Sequence, residues 1–129
     1  MSTQENKESV RRFADERMNN GNLDIHDEML APGLDTEGWK EWIRYLRAAF
    51  GNIRYTILDI IAEDDKVVLH WRFSATHQGD FLGVAATGKQ VSVQGLALFR
   101  VMDSKITEDS SYWDNLSLLE QLGAAPTRR

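Results

Sequence analysis

The sequence predicts an α+β fold, a curved antiparallel sheet wrapped around N-terminal helices, and three observations lead there. Apolar residues recur with helical spacing in the first half of the chain, as far as Gly51. Long runs rich in Val, Ile, Phe and Trp, separated by short polar turns, fill most of the second half. Helices that precede the strands, rather than alternating with them, place the helical layer on one face of an antiparallel sheet.

Val10, Phe13, Ala14, Arg17 and Met18 fall at i, i+3, i+4, i+7 and i+8, an apolar stripe that ends before Gly21. A shorter helix carries Leu23, Met29 and Leu30 and stops at Pro32-Gly33. The third begins at Asp35 or Thr36, both good N-caps, and is predicted to end at Gly51. It carries Trp39, Trp42, Ile43, Leu46, Ala49 and Phe50. Ile53 to Ala62 and Lys66 to His77 then flank Glu63-Asp64-Asp65 as a hairpin. A Gly-containing loop leads to a strand at Gln90 to Val101, and Met102-Asp103-Ser104 turns it into a last strand, Lys105 to Asp114. The closing NLSLLEQLG is a short helix or an extended tail.

At 129 residues the chain suits one compact domain over 1–129, large enough for a core without covalent staples. With no cysteine it has no disulfide, thiolate nucleophile, cysteine–zinc site or iron–sulfur cluster. The net charge of −5 argues against a nucleic-acid partner, whose backbone is held by clustered Lys and Arg. No apolar run reaches membrane length and the polar start lacks a signal-peptide core, so a cytoplasmic location with no membrane partner is expected. His26, His70 and His77 are scattered without HxH or HExxH spacing, so no metal is expected.

The cone enclosed by such a sheet is either core or cavity, and near-continuous apolar strands do not assign their own faces. A three-residue loop at Met102-Asp103-Ser104 would pair Val101 with Lys105 and put Gly95, Ala97, Asp109, Ser111 and Trp113 on one face. Small residues opposite polar ones there suggest a pocket, with Asp109 as a catalytic candidate and Ala97, Ser111 and Trp113 at the substrate. Trp39, Trp42, Tyr45, Trp71 and Phe73 are further candidates to line an aromatic ligand's cavity. In the first hairpin a tight turn at Asp64-Asp65 sets Asp59 across from His70, with Arg72 on the same face. A carboxylate beside an imidazole prepares a general base. The same three residues also read as a cross-strand polar cluster on the outer face, covered by a second subunit, and charged cross-strand pairs are common sheet stabilisers. His77, at the strand end, reads as structural.

The order Thr76-His77-x-Gly79-x-Phe81-x-Gly83, then Thr87-Gly88-Lys89-x-Val91, then Arg100-Val101-x-Asp103-x-Lys105-Ile106, then Trp113-Asp114 and Gln121-Leu122-Gly123, resembles the SnoaL-like polyketide cyclase family. Val10-Arg11-Arg12-Phe13, Asn20-Gly21-Asn22 and Leu30-Ala31-Pro32 extend the resemblance over nearly the whole chain. It implies the ketosteroid isomerase-like α+β barrel of the nuclear transport factor 2-like superfamily. It also implies a homodimer or homotetramer in which each subunit takes one hydrophobic ligand without a metal or organic cofactor. The family's aldol cyclases use an aspartate on the last strand and a histidine on the strand before it. Carried over residue by residue, those positions hold Ser111 and Ala97. Ala85-Ala86 stands where the family has Pro-Pro, and the segment between Pro32 and Trp39 is short.

The function these features predict is a cofactor-independent enzyme of natural-product biosynthesis acting on an aromatic or polycyclic polyketide-type substrate. Its chemistry is hydroxylase- or isomerase-like rather than aldol closure. Such chemistry needs a base and a positive group for the enolate, supplied by Asp59, His70 and Arg72, or by Asp109 with Arg44 from the third helix. The alternative is a non-catalytic binding or assembly module of the same fold. An epoxide-opening enzyme would require Asp59, Arg72 and Asp109 to converge on one water.

Overall fold

The computed structural model describes residues 2–124. Helices α1 (Thr3–Met18), α2 (Asp24–Met29) and α3 (Thr36–Ala49) precede strands β1 (Phe50–Glu63), β2 (Lys66–His77), β3 (Gln90–Met102) and β4 (Lys105–Trp113). A short helix, α4 (Asn115–Gln121), follows β4. The strands form one antiparallel sheet in the order β1-β2-β3-β4, curved around the helices, so the expected α+β fold is the observed one.

Helices α1, α3 and α4 start where a polar side chain takes up an orphan N–H group. Ser2 and Glu5 form a reciprocal capping box on α1, and Asp35 accepts from the Gly38 amide at 2.9 Å to start α3. The inward stripe of α1 buries Val10, Phe13 and Ala14 completely, with Arg17 in the same row. The end of α3 comes two residues before the predicted Gly51. Phe50 is already extended, its N–H still bonded to the Leu46 carbonyl, so helix passes into strand with no loop.

Inner-face residues of β2 (Val67, Leu69, Trp71, Phe73, Ala75, His77) are buried and alternate with more exposed neighbours. The apolar run looks continuous in sequence because Val68, Leu96 and Leu98 stand on the opposite, outer face. The first hairpin has the predicted register, with Asp59 opposite His70 and Glu63 opposite Lys66. The last hairpin is corrected. Asp103 and Ser104 both take positive φ (51° and 64°) in a two-residue turn, and Lys105 pairs with Met102, not Val101. A bulge then leaves Thr107 as the extra residue, because Arg100 pairs with Glu108 while Val101 pairs with Ile106. The extra residue restores the parity that the turn had flipped. Gly95, Ala97, Asp109, Ser111 and Trp113 therefore share the inner face, as predicted, through a different geometry.

The NLSLLEQLG stretch is helical over Asn115–Gln121. Gln121 of α4 accepts from the Ser92 amide and donates to its carbonyl, both at 2.8 Å, on a stretch of β3 beyond the reach of β4. A side-chain amide thus satisfies the backbone that the short edge strand leaves open. Among the described residues no helix is long and apolar enough to cross a membrane.

Candidate functional site

Between the helices and the sheet lies a cavity of about 310 Å³, close to the lower end of the range for small-molecule sites, roughly 300–1,000 Å³. Helix α1 contributes Arg17 and Met18 to its wall, and α3 contributes Trp39, Trp42, Ile43 and Leu46. The sheet contributes Tyr55, Trp71, Phe73, Ser111, Tyr112 and Trp113. The rings brace one another. Tyr55 stacks on Trp71 with centroids 5.4 Å apart, and Trp42 meets Trp113 edge-on at 6.1 Å. These contacts hold flat apolar walls, which suit a planar aromatic ligand.

The charged feature of the wall is Arg17. Its Nη1 donates to Asp109 Oδ2 at 2.7 Å, and the two side chains are only 5% and 1% exposed. The guanidinium carbon lies 4.5 Å from the Phe13 ring centre and 4.9 Å from that of Trp39. Burying two charges is costly unless they pair, and a desolvated cation gains further from aromatic faces. The arrangement still leaves capacity unused, because Arg17 Nε and Asp109 Oδ1 have no hydrogen-bond partner. Asp109 does not itself line the cavity; it stands behind Arg17.

Tyr55 is the other polar group here. Its backbone is clamped by Asn19, whose side chain accepts from the Tyr55 amide at 2.7 Å and donates to its carbonyl at 3.0 Å. No described residue hydrogen-bonds its hydroxyl. Burial pushes the phenol well above its usual range, with Arg17 opposing and Asp109 reinforcing the effect, so the hydroxyl stays a neutral donor. Below α1, the buried His26 ring meets Phe13 edge-on and its Nδ1 lies 2.9 Å from the Leu23 carbonyl. Burial lowers its basicity, and Nε2 is unpartnered.

The predicted site residues divide between two places. Trp42, Trp71, Phe73, Ser111 and Trp113 line the cavity. Tyr45 lies beyond it, with its hydroxyl accepting from the Leu82 amide at 2.6 Å and its ring stacked on Phe81. Ala97 is buried and outside the lining. The room expected at Gly95 is filled, since a Cβ there would overlap the Trp71 indole and the Tyr112 carbonyl. Asp59, His70 and Arg72 stand on the outer face, away from the cavity. Asp59 takes its own neighbour's amide from Ile60, and His70 Nε2 lies 2.9 Å from Gln94 Oε1. The cluster therefore does not join Asp109, and Asp59, Arg72 and Asp109 cannot converge on one water. Arg44 is also elsewhere, half exposed and paired with Glu41 on its own helix.

His77 is wholly buried, with Nδ1 accepting from the Thr87 amide at 3.2 Å and lying 3.0 Å from its hydroxyl. It ties β2 to the following loop. The residues sequence reasoning missed are Arg17 as a site residue and Tyr55. Arg17 had a signal, a charge inside an apolar helical stripe; Tyr55, on a strand of mixed faces, had none. Among the described residues no three His, Cys, Asp or Glu side chains group as a metal site.

Comparison with known proteins agrees with this geometry. A family model described as SnoaL-like polyketide cyclase matches residues 8–122. No curated protein matches the sequence. Among solved structures, AclR, a candidate hydroxylase from Streptomyces galilaeus, is 26% identical with a TM-score of 0.88, over 97% of this chain and 100% of that one. A candidate polyketide cyclase from Acidithiobacillus ferrooxidans is 31% identical with a TM-score of 0.82, over 98% of this chain and 100% of that one. A candidate SnoaL-like polyketide cyclase from Jannaschia sp. CCS1 is 26% identical with a TM-score of 0.86, over 96% and 95%.

Proposed function

The chain belongs to the SnoaL-like polyketide cyclase family, and from that premise we propose that it is a cofactor-independent enzyme acting on an aromatic, polycyclic polyketide-type substrate. The reaction is hydroxylase- or isomerase-like rather than an aldol closure. One observation carries this reading: an aromatic cavity whose wall includes Arg17, held by the buried Asp109 behind it, with the cross-strand neighbours Ala97 and Ser111 nearby. By the family resemblance those two neighbours occupy the histidine and aspartate positions, and neither side chain can exchange a proton near neutral pH. The name of AclR, a candidate hydroxylase, points the same way.

Chemically, a phenol or enol in the cavity gives up its proton to water, which later returns one to the product, and the negative charge collects on oxygen and on ring carbon. Isomerisation returns a proton to a different carbon. Hydroxylase-like chemistry lets the carbanion take dioxygen, so that R–H and O₂ become R–OOH with no outside electrons. Loss of water from a CH–OOH carbon then leaves a ketone. Positive charge from Arg17 favours both routes by stabilising the anion. The same reading includes a cytoplasmic homodimer or homotetramer.

The test is the purified chain with polycyclic phenols and quinols, in air and under nitrogen, with no flavin or metal added. Conversion that is lost in Arg17→Met and kept in His70→Ala is expected. Loss in His70→Ala with activity kept in Arg17→Met would move the chemistry to the outer face. The cavity wall carries no carboxylate or imidazole among the described residues, which favours the second reading, a non-catalytic binder. Tight binding without turnover of any member of the panel would establish it.

A further inference from the structure

Two hydrogen-bond donors face the cavity with nothing on the protein to use them fully. Arg17 lines it with a guanidinium of which only Nη1 has a protein acceptor, and Tyr55 lines it with a hydroxyl that no described residue bonds. They come from different elements, α1 and β1, and the fold locks those elements together beside them. Asn19, which ends α1 two residues after Arg17, makes its pair of hydrogen bonds to both backbone groups of Tyr55. Asp109 holds the guanidinium from behind, and Phe13 and Trp39 sandwich it. A donor pair so fixed, in a wall otherwise almost wholly apolar, is built for one acceptor oxygen.

We propose that Arg17 and Tyr55 form a two-donor site for a single phenolic or enolic oxygen of the ligand, favouring its ionised form, with Asp109 and Asn19 as positioning residues. The inference rests on the reading of the cavity as a site for aromatic polycyclic ligands and adds which ligand atom is held and in what charge state. The pair is neutral overall, but its positive end faces the cavity and its carboxylate stands behind. The ligand oxygen therefore meets the favourable end of a dipole. This fixes a sign. If Asp109 only positions Arg17, neutralising it exposes more positive charge and makes a bound phenol more acidic. If Asp109 instead takes the proton, neutralising it makes a bound phenol less acidic.

The probe is 2-hydroxyanthraquinone, whose ionisation changes its visible spectrum, titrated while bound to the intact chain and compared with the free dye. Bound to wild type, the dye is expected to ionise about one pH unit lower than in water, within the one to three units that an opposite charge nearby produces. Asp109→Asn lowers it further, Tyr55→Phe raises it, and Arg17→Lys keeps part of the shift. Should Asp109→Asn fail to fold, the double variant Arg17→Met/Asp109→Leu removes both charges at nearly matched volume. It should still bind the dye but ionise it no more readily than water does. Equal ionisation in wild type and double variant overturns the two-donor site while leaving the aromatic-cavity reading standing. A rise in Asp109→Asn overturns the assignment of Asp109 as a positioning residue. Absence of saturable binding to wild type by this dye and by unsubstituted anthraquinone overturns the cavity reading itself.

Discussion

Asp109→Ala isolates the role of the buried ion pair in holding the fold. The substitution leaves the Arg17 guanidinium 95% buried, with no acceptor for Nη1 and no partner for Nε. Breaking a buried pair from one side costs about 3–5 kcal/mol, against a total stability of about 5–15 kcal/mol for a domain. The cation–π contacts with Phe13 and Trp39 remain and recover part of this, so about 3 kcal/mol is expected. At about 3–5 °C per kcal/mol for a domain of this size, the melting midpoint falls by about 10–15 °C. Arg17→Met is the milder change, because a carboxyl left alone can take up a proton whereas a guanidinium cannot lose one. Its loss should shrink in acid. The double variant Arg17→Met/Asp109→Leu, with neither charge to desolvate, should lie within about 1 kcal/mol of wild type or above it. Urea unfolding followed by tryptophan fluorescence measures all three. A loss for Asp109→Ala of under about 0.5 kcal/mol, the range for surface changes, would refute the reasoning, as would additive losses in the double variant.

His26 sets an acid limit on stability. Burial first, then Arg17, lower its basicity in the folded state, with the Leu23 carbonyl opposing, so the unfolded chain binds the proton more readily. The stability it supports is full above the ordinary imidazole value of about 6.5 and is lost as pH falls below it. Urea midpoints at pH 7.5 and 5.5 should therefore differ more for wild type than for His26→Asn. Gly95→Ala forces a methyl into the Trp71 indole and the Tyr112 carbonyl; since strand backbone cannot retreat, it should destabilise by about 1–3 kcal/mol and weaken binding of the anthraquinone dye. On the outer face, Leu96 and Ile61 are 52% and 58% exposed around His70. If a second copy covers them, Leu96→Glu yields a smaller species by sedimentation with the melting point of each subunit little changed; an unchanged sedimentation coefficient counts against that partner.

Much of the fold was legible because its signals are local. Capping residues, helical stripes and the acidic turn at Asp64-Asp65 act within a few positions of the chain, and the β2 span was read without error at either end. The last hairpin shows the limit. Nothing in Met102-Asp103-Ser104 forbids a three-residue loop, and Asp and Ser are unusual at two successive positive-φ positions. The bulge at Thr107 is a tertiary device, and it is what lets the polar residues of β4 face inward despite the tighter turn.

The site was legible in its materials and not in its assembly. Aromatic residues on α3 and β2 announced a wall, but the sequence offers far more acidic and basic residues outside the cone than within it. Choosing among them depends on the one thing period-2 strands do not state, which face is covered. Arg17 was the sequence's best clue. A guanidinium in the buried row of an amphipathic helix must find a carboxylate, and the chain has 20 acidic residues to choose from. Only a partner reachable from the inner face can serve, which excludes every acidic residue on the outer strands and surface helices. Asp109 meets that condition because of a single extra residue in β4. Without the bulge, Glu108 would point inward, Asp109 would join the solvent face, and Arg17 would stand unpaired in the core. The bulge is therefore what reconciles Thr107 with the ion pair. Deleting Thr107 would leave Glu108 opposite Arg100 and Asp109 opposite Phe99. The pairing and the dye's acid shift should both survive that deletion, and their loss would refute this account of the bulge.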